Sequence, residues 1–285
     1  YSKSWIDVNY AVSEEVYHTM DVYLPTKIQD SYPAVFLIYG SAWFGNNLKH
    51  TAFHTLGEPL LDAGFAVITP NHRASTDSVF PAQIHDIKGA IRYIRANATS
   101  YHIDTTFIGI SGISSGGHLA AMAGTTGSVS TKTSGEVTFD LEGKVGGNTN
   151  YSSSVHAVVN WFGPTDLLIM GECEGGGTVD HYSPDAPESI LIGSYIHDNH
   201  DKGLLANPIT YVHSSNPPFL IFHGAEDPLV PPCQSELLHE ALMDHDVQSI
   251  FYLVEDGKHG PGVHTDENLE IMTNFFIQQL ENINR

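Results

Sequence analysis

Short, almost uninterrupted apolar runs, each followed by a stretch of helical periodicity, recur along this 285-residue chain and constrain its fold more than any other feature. AVFLIYG (34–40) and AVITP (66–70) carry too few polar residues to turn a face to water, so they predict strands buried on both sides. FIGI (107–110), VHAVVNWFG (155–163), PFLIFHG (218–224) and SIFYLVE (249–255) predict four more, and MDVYLP predicts an edge strand ending at Pro25. HTLGEPLLDAGF, SELLHEALMDH and DENLEIMTNFFIQQLENI are helical in pattern. PAQIHDIKGAIRYIRANA (81–98) places Ile84, Ile87, Ile91 and Ile94 on one helical face, with Pro81 in a first turn. The alternation predicts the α/β class, a mostly parallel, doubly wound sheet, in a single domain over residues 1–285.

Two segments break the alternation. Residues 125–154 are rich in Gly, Ser, Thr and Asn, and residues 164–212 contain GECEGGGTVDHYSPDAPES. Excursions after strands of an open α/β sheet gather over its carboxyl edge, where ligands bind, so both are expected to be cap or lid insertions. The balance of 33 Asp+Glu against 12 Lys+Arg, a formal net charge of −21, repels nucleic acid and anionic membranes and fits a neutral substrate or a saline habitat. Cys173 and Cys233 match no zinc spacing, so no metal site is expected. The sequence does not decide whether the two pair, and the demanding geometry of a disulfide weighs against it. No run approaches the ~18 apolar residues of a membrane span. The first residue is Tyr1 rather than Met, so a mature or trimmed form is expected, with any signal peptide already gone.

Gly112-Ile113-Ser114-Ser115-Gly116 fits G-x-S-x-G, with an apolar run before it and a small-residue helical stretch after it. Such a strand–turn–helix lifts the central hydroxyl clear of the backbone, which makes Ser114 a candidate nucleophile. A serine needs a base and an orienting carboxylate, here expected in the order Ser, Asp, His. Asp227 follows the strand FLIFHG and His259 follows the last strand in EDGKHG, so all three should meet at one sheet edge. His264, His223 and His118 are rival histidines, and Glu226 and Asp256 rival carboxylates. The N–H of Ser115 is a candidate oxyanion donor, with a second expected from the loop Gly40-Ser41-Ala42-Trp43-Phe44-Gly45. Trp43, Phe44, Trp161 and Phe162 are candidate walls of an aromatic substrate pocket. The chemistry calls for no metal or cofactor.

Together GISSGGHLAAMAG, FPAQIHDIKGAIRYIRANA, WFGPTDL, HYSPDAPES, ANPITYV, PPFLIFHGAEDPLVP and GKHG resemble the α/β-hydrolase carboxylesterases of the hormone-sensitive-lipase-like group. The closest branch is the bacterial one with feruloyl and acetyl-xylan esterase-like members, and the likeness spans residues 15–283. It implies the α/β-hydrolase fold, with Ser114 as nucleophile, His259 as base, Asp227 as acid, and the N–H groups of Ser41, Ala42 and Ser115 as the oxyanion hole. The family's His-Gly-Gly-Gly-Trp is here Tyr39-Gly40-Ser41-Ala42-Trp43, which narrows the space and changes how the loop is braced. The expected activity is hydrolysis of short-chain or aryl esters, including acyl groups on plant polysaccharides, and the resemblance leans towards export. A prolyl-peptidase-like hydrolase and a non-catalytic binding module are the alternatives. The sequence does not speak to oligomeric state.

Overall fold

The computed structural model describes residues 1–173 and 178–285. Ten strands are seen among them: β1 Lys3–Asn9, β2 Thr19–Leu24, β3 Tyr32–Ile38, β4 Ala66–Pro70, β5 Ile103–Ile113, β6 Thr131–Ser134, β7 Val137–Asp140, β8 Ala157–Trp161, β9 Phe219–Gly224 and β10 Ser249–Val254. The helices are α1 Lys49–Ala52, α2 Glu58–Asp62, α3 Ala82–Ala96, α4 Ala98–Tyr101, α5 Ser115–Thr125, α6 Pro187–Ile192, α7 His200–Ala206, α8 Cys233–Asp244 and α9 Asp266–Ile283. Eight strands form the main sheet in the order β1-β2-β4-β3-β5-β8-β9-β10. From β4 to β10 every neighbour is parallel, while β2 runs antiparallel to both β1 and β4.

The apolar runs read as doubly buried are buried on both faces. Ala34, Phe36 and Ile38 of β3 join one core with Ile84, Ile87, Ile91 and Ile94 of α3. The alternate residues Val35 and Leu37 face the opposite core with Met272, Phe275 and Phe276 of α9. Each such side chain removed from water is worth about 1.5–3 kcal/mol, so the helices are held to the sheet mainly through these stripes.

Several expectations need correction. MDVYLP is not the edge, because β1 (KSWIDVN) pairs along its outer side with a register shift between Trp5 and Val8. Pro81 precedes the first turn of α3 rather than lying in it. Cys173 and Cys233 are joined in a disulfide, their Cα atoms 6.0 Å apart, which ties the second insertion to the start of α8. The first insertion holds the hairpin β6–β7 and is clamped to α3: buried Lys88 donates to Glu142 at 3.1 Å and to the Thr126 carbonyl at 2.9 Å, and Arg92 pairs with the same carboxylate. The second insertion carries α6 and α7; its residues 174–177 lie outside the described ones.

Candidate active site

The turn from β5 into α5 puts Ser114 at φ 56°, ψ −123°, a strained conformation for a residue with a side chain. Such strain persists only where the surroundings over-determine it. A side chain at Gly112 would overlap the Gly116 carbonyl, and one at Gly116 would overlap the carbonyls of Ile38 and Tyr39. The Ser114 N–H donates to the Trp161 carbonyl at 2.9 Å and its own carbonyl accepts from His118 N–H at 3.0 Å. The hydroxyl is thus fixed at the sheet's carboxyl edge.

Asp227 and His259 reach the same place from the loops after β9 and β10. Those loops are joined by backbone bonds, Ala225 N–H to the Val254 carbonyl at 2.8 Å and Glu226 N–H to that of Gly257 at 2.9 Å. His259 Nδ1 lies 2.7 Å from Asp227 Oδ2, and His259 Nε2 lies 2.8 Å from Ser114 Oγ. A carboxylate only accepts, so Nδ1 carries the proton and Nε2 is left to accept the Ser114 hydroxyl. Asp227 is 3% exposed, and Oδ1 accepts from the N–H groups of Leu229 and Val230 at 2.8 and 3.0 Å. Burial alone would raise its pKa; the hydrogen bonds from His223 and His259 and the Val230 N–H outweigh that and hold the carboxyl well below the usual range.

The rival groups sit elsewhere. His223 is buried beneath the Asp227 loop, its Nε2–H donating to the Val230 carbonyl at 2.8 Å and lying 3.4 Å from Asp227 Oδ2; Ser114 Oγ is met instead by His259 Nε2. Glu226 and Asp256 are exposed. His118 is fully buried; its Nε2–H donates to the Ala206 carbonyl at 2.8 Å, so Nδ1 accepts from Trp43 Nε1 at 3.2 Å. His264 lines the cavity described below and packs on Trp161 and Phe162.

In the loop after β3, Ala42 and Trp43 stand at φ 50° and 63°, left-handed positions where glycine is at ease. Tyr39 braces this loop where the family pattern has histidine: its ring stacks on His72 at 4.6 Å and its hydroxyl donates to the Gly45 carbonyl at 3.1 Å. Of the three expected donors, Ser41 N–H is already engaged by the hydroxyl of Ser115 at 2.9 Å.

Ser114 and His259 open into a cavity of about 600 Å³. Ser41, Ala42, Trp43 and Phe162 line it, but Phe44 and Trp161 do not. Phe44 lies past the loop's turn and is 42% exposed. Trp161 stands opposite Phe222 in the β8–β9 register, stacks on it at 4.2 Å and donates to Ser111 within the core. The second insertion supplies much of the remaining wall, including Met170, Val179, His181 and Glu188, whereas no residue of 125–154 reaches it. Sequence reasoning missed His181 and Glu188; HYSPDAPES was the signal, with no partner visible until the chain is folded.

The BD-FAE family profile matches residues 20–242. The chain belongs to the BD-FAE family. Among solved structures, this BD-FAE chain is similar to a truncated carbohydrate esterase from gut microbiota, at TM-score 0.94 and 46% identity over 98% of this chain and 96% of that one. It is also similar to a bifunctional GH43-CE protein of Bacteroides eggerthii, at TM-score 0.91 and 48% identity over 97% of this chain and 35% of that one. Esterase LipQ of Mycobacterium tuberculosis is 29% identical over 220 residues, 77% of this chain and 48% of LipQ. The chain spans about half the length of the curated relatives it matches. The sheet order and these likenesses make its architecture the α/β-hydrolase fold. Among the described residues, no helix is long and apolar enough to cross a membrane.

Proposed function

We propose that this BD-FAE chain is a serine carboxylic-ester hydrolase in which Ser114 is the nucleophile, His259 the general base and Asp227 the acid that orients it. The unbroken hydrogen-bond chain from Asp227 through His259 to Ser114, ending at the mouth of a cavity, is the observation that carries this reading. Ser114 Oγ attacks the acyl carbonyl as His259 Nε2 takes its proton, and the imidazolium then protonates the leaving alcohol. Water activated by the same imidazole releases the acid. The N–H groups of Ala42 and Ser115, with Ser41 where its bond to Ser115 allows, stabilise the oxyanion. The likeness to a carbohydrate esterase supports short acyl or aryl groups carried on plant polysaccharides as substrates, and the disulfide supports an exported role in an oxidising compartment.

Initial rates on p-nitrophenyl acetate to octanoate, methyl ferulate and acetylated xylan, with Ser114→Ala alongside, test the reading. The variant should retain the wild-type fold by circular dichroism and lose roughly 10⁴-fold or more in kcat. A Ser114→Ala enzyme with near-wild-type turnover would overturn it.

A further inference from the structure

The HYSPDAPES segment takes no part in the chemistry above, yet its His181 and Glu188 line the cavity that opens on Ser114. They are 5% and 2% exposed, a depth at which glutamate is rare unless every oxygen is satisfied. His181 Nδ1 meets Glu188 Oε1 at 3.0 Å, while the second carboxylate oxygen, Oε2, has no hydrogen-bond partner. An orphaned carboxylate oxygen costs more than a neutral one, and an apolar residue of similar size would remove that cost. Met170, Val179 and Pro187, which line the same cavity, are apolar, so a carboxylate is not what packing alone calls for. Glu188 is part of the cavity wall and both Oε2 and His181 Nε2 lack partners, so a molecule seated against this wall is placed to supply the missing bond to Oε2.

We propose that Glu188, held in place by His181, is a specificity determinant that accepts a hydrogen bond from a hydroxyl of the bound ester. This rests on the reading of Ser114 as the nucleophile. Burial disfavours the His181 imidazolium, but the hydrogen bond and charge of Glu188 outweigh this and raise its pKa, so His181 offsets part of the carboxylate's charge and a neutral hydroxyl is a fitting donor. Anionic groups are further discouraged by the formal charge of −21. The hydroxyl belongs either to the acyl half, as on a hydroxyaryl group, or to the alcohol half, as on a sugar ring.

The test compares kcat/KM within two pairs of esters for the wild type, Glu188→Gln and Glu188→Met. One pair is methyl 4-hydroxycinnamate and methyl cinnamate; the other is an acetylated methyl xyloside and cyclohexyl acetate. The wild type should favour the hydroxylated member of one pair by about tenfold to a hundredfold, the range of a hydrogen bond to a charged group. That pair identifies the half of the ester that carries the hydroxyl. The preference should shrink in Glu188→Gln, which keeps the side chain's shape but not its charge, and vanish in Glu188→Met. A wild type without preference in either pair overturns the proposal with no variant needed. So does a preference that survives in Glu188→Met, or equal losses on both members of a pair, the mark of a merely structural role. If the wild type cleaves none of the four esters, or Ser114→Ala matches it on them, the nucleophile reading itself fails and takes this one with it.

Discussion

Ser115 shows how one side chain can bear on its neighbours' chemistry. Its backbone N–H begins α5 beside Ser114, while the hydroxyl of this buried residue accepts the Ser41 N–H that the family pattern would aim at the oxyanion. Ser115→Ala should therefore cost roughly 1 kcal/mol of stability, the usual worth of a buried hydrogen bond. It should also raise kcat on small esters severalfold as Ser41 N–H becomes free to donate; losing one such donor costs about 10²–10³ in other enzymes. Thermal melts and steady-state rates check both. A lower melting point with unchanged kcat would mean that Ser41 is no oxyanion donor. The residues of this site differed in legibility for a physical reason. Ser114, Asp227 and His259 each follow a strand that its apolar run announces, so their convergence could be read from order alone. Glu188 is defined by one unpaired oxygen, which no pattern of residue types encodes.

At the scale of elements, the second insertion is anchored to the acid loop and α8 from several directions. The disulfide joins Cys173 to Cys233, Thr178 N–H bonds the Pro228 carbonyl at 2.8 Å, and Gln234 Oε1 accepts from the N–H groups of Thr165 and Asp166 at 2.8 Å. A bridge spanning 60 residues restricts the unfolded chain by about 4 kcal/mol on the chain-entropy account. Cys173→Ser with Cys233→Ser is expected to lower stability by about 2–4 kcal/mol and to raise KM more than it lowers kcat, because the loosened segment is cavity wall and holds none of Ser114, Asp227 and His259. Denaturant melts and steady-state kinetics decide it; a kcat loss at constant KM would show that the bridge instead positions the acid loop. The elements that escaped the sequence are those with one wet face. β1 mixes half-buried with exposed positions at the sheet's edge, and β6–β7 (TKTS and VTFD) is mostly polar with only Val137 and Phe139 apolar, so neither carries the apolar run that marked β3, β4 and β9.

Across the whole molecule, several histidines are kept neutral by the fold. Burial lowers the pKa of His72, and lowers that of His118 to about 4; burial and then the charge of His259 lower His264 to about 4. In the unfolded chain these imidazoles titrate near about 6.5, so between pH about 6.5 and about 4 the unfolded state binds more protons. The stabilisation is complete above that window and is lost as pH falls through it, by roughly 3 kcal/mol for the fully buried His118. Acidification also moves the formal charge of −21 towards zero, but at about 0.15 M salt surface repulsion is screened beyond about 8 Å, whereas the desolvation of a buried ring is not. The urea midpoint at that salt should therefore fall between pH about 7 and about 4.5. A flat or rising midpoint would mean that the buried rings accept protons without cost.

The hydrogen-bonded chain at the site joins residues 145 and 32 positions apart, brought together by loops following β5, β9 and β10. No part of the chain that stops short of β10 and His259 holds the constellation. During synthesis this hydrogen-bonded chain therefore closes only once β10 and His259 are in place. A copy cut between α8 and β10 would keep Ser114 but not His259, so on the proposed assignment hydrolysis would report on the integrity of the whole sheet rather than of the serine turn alone.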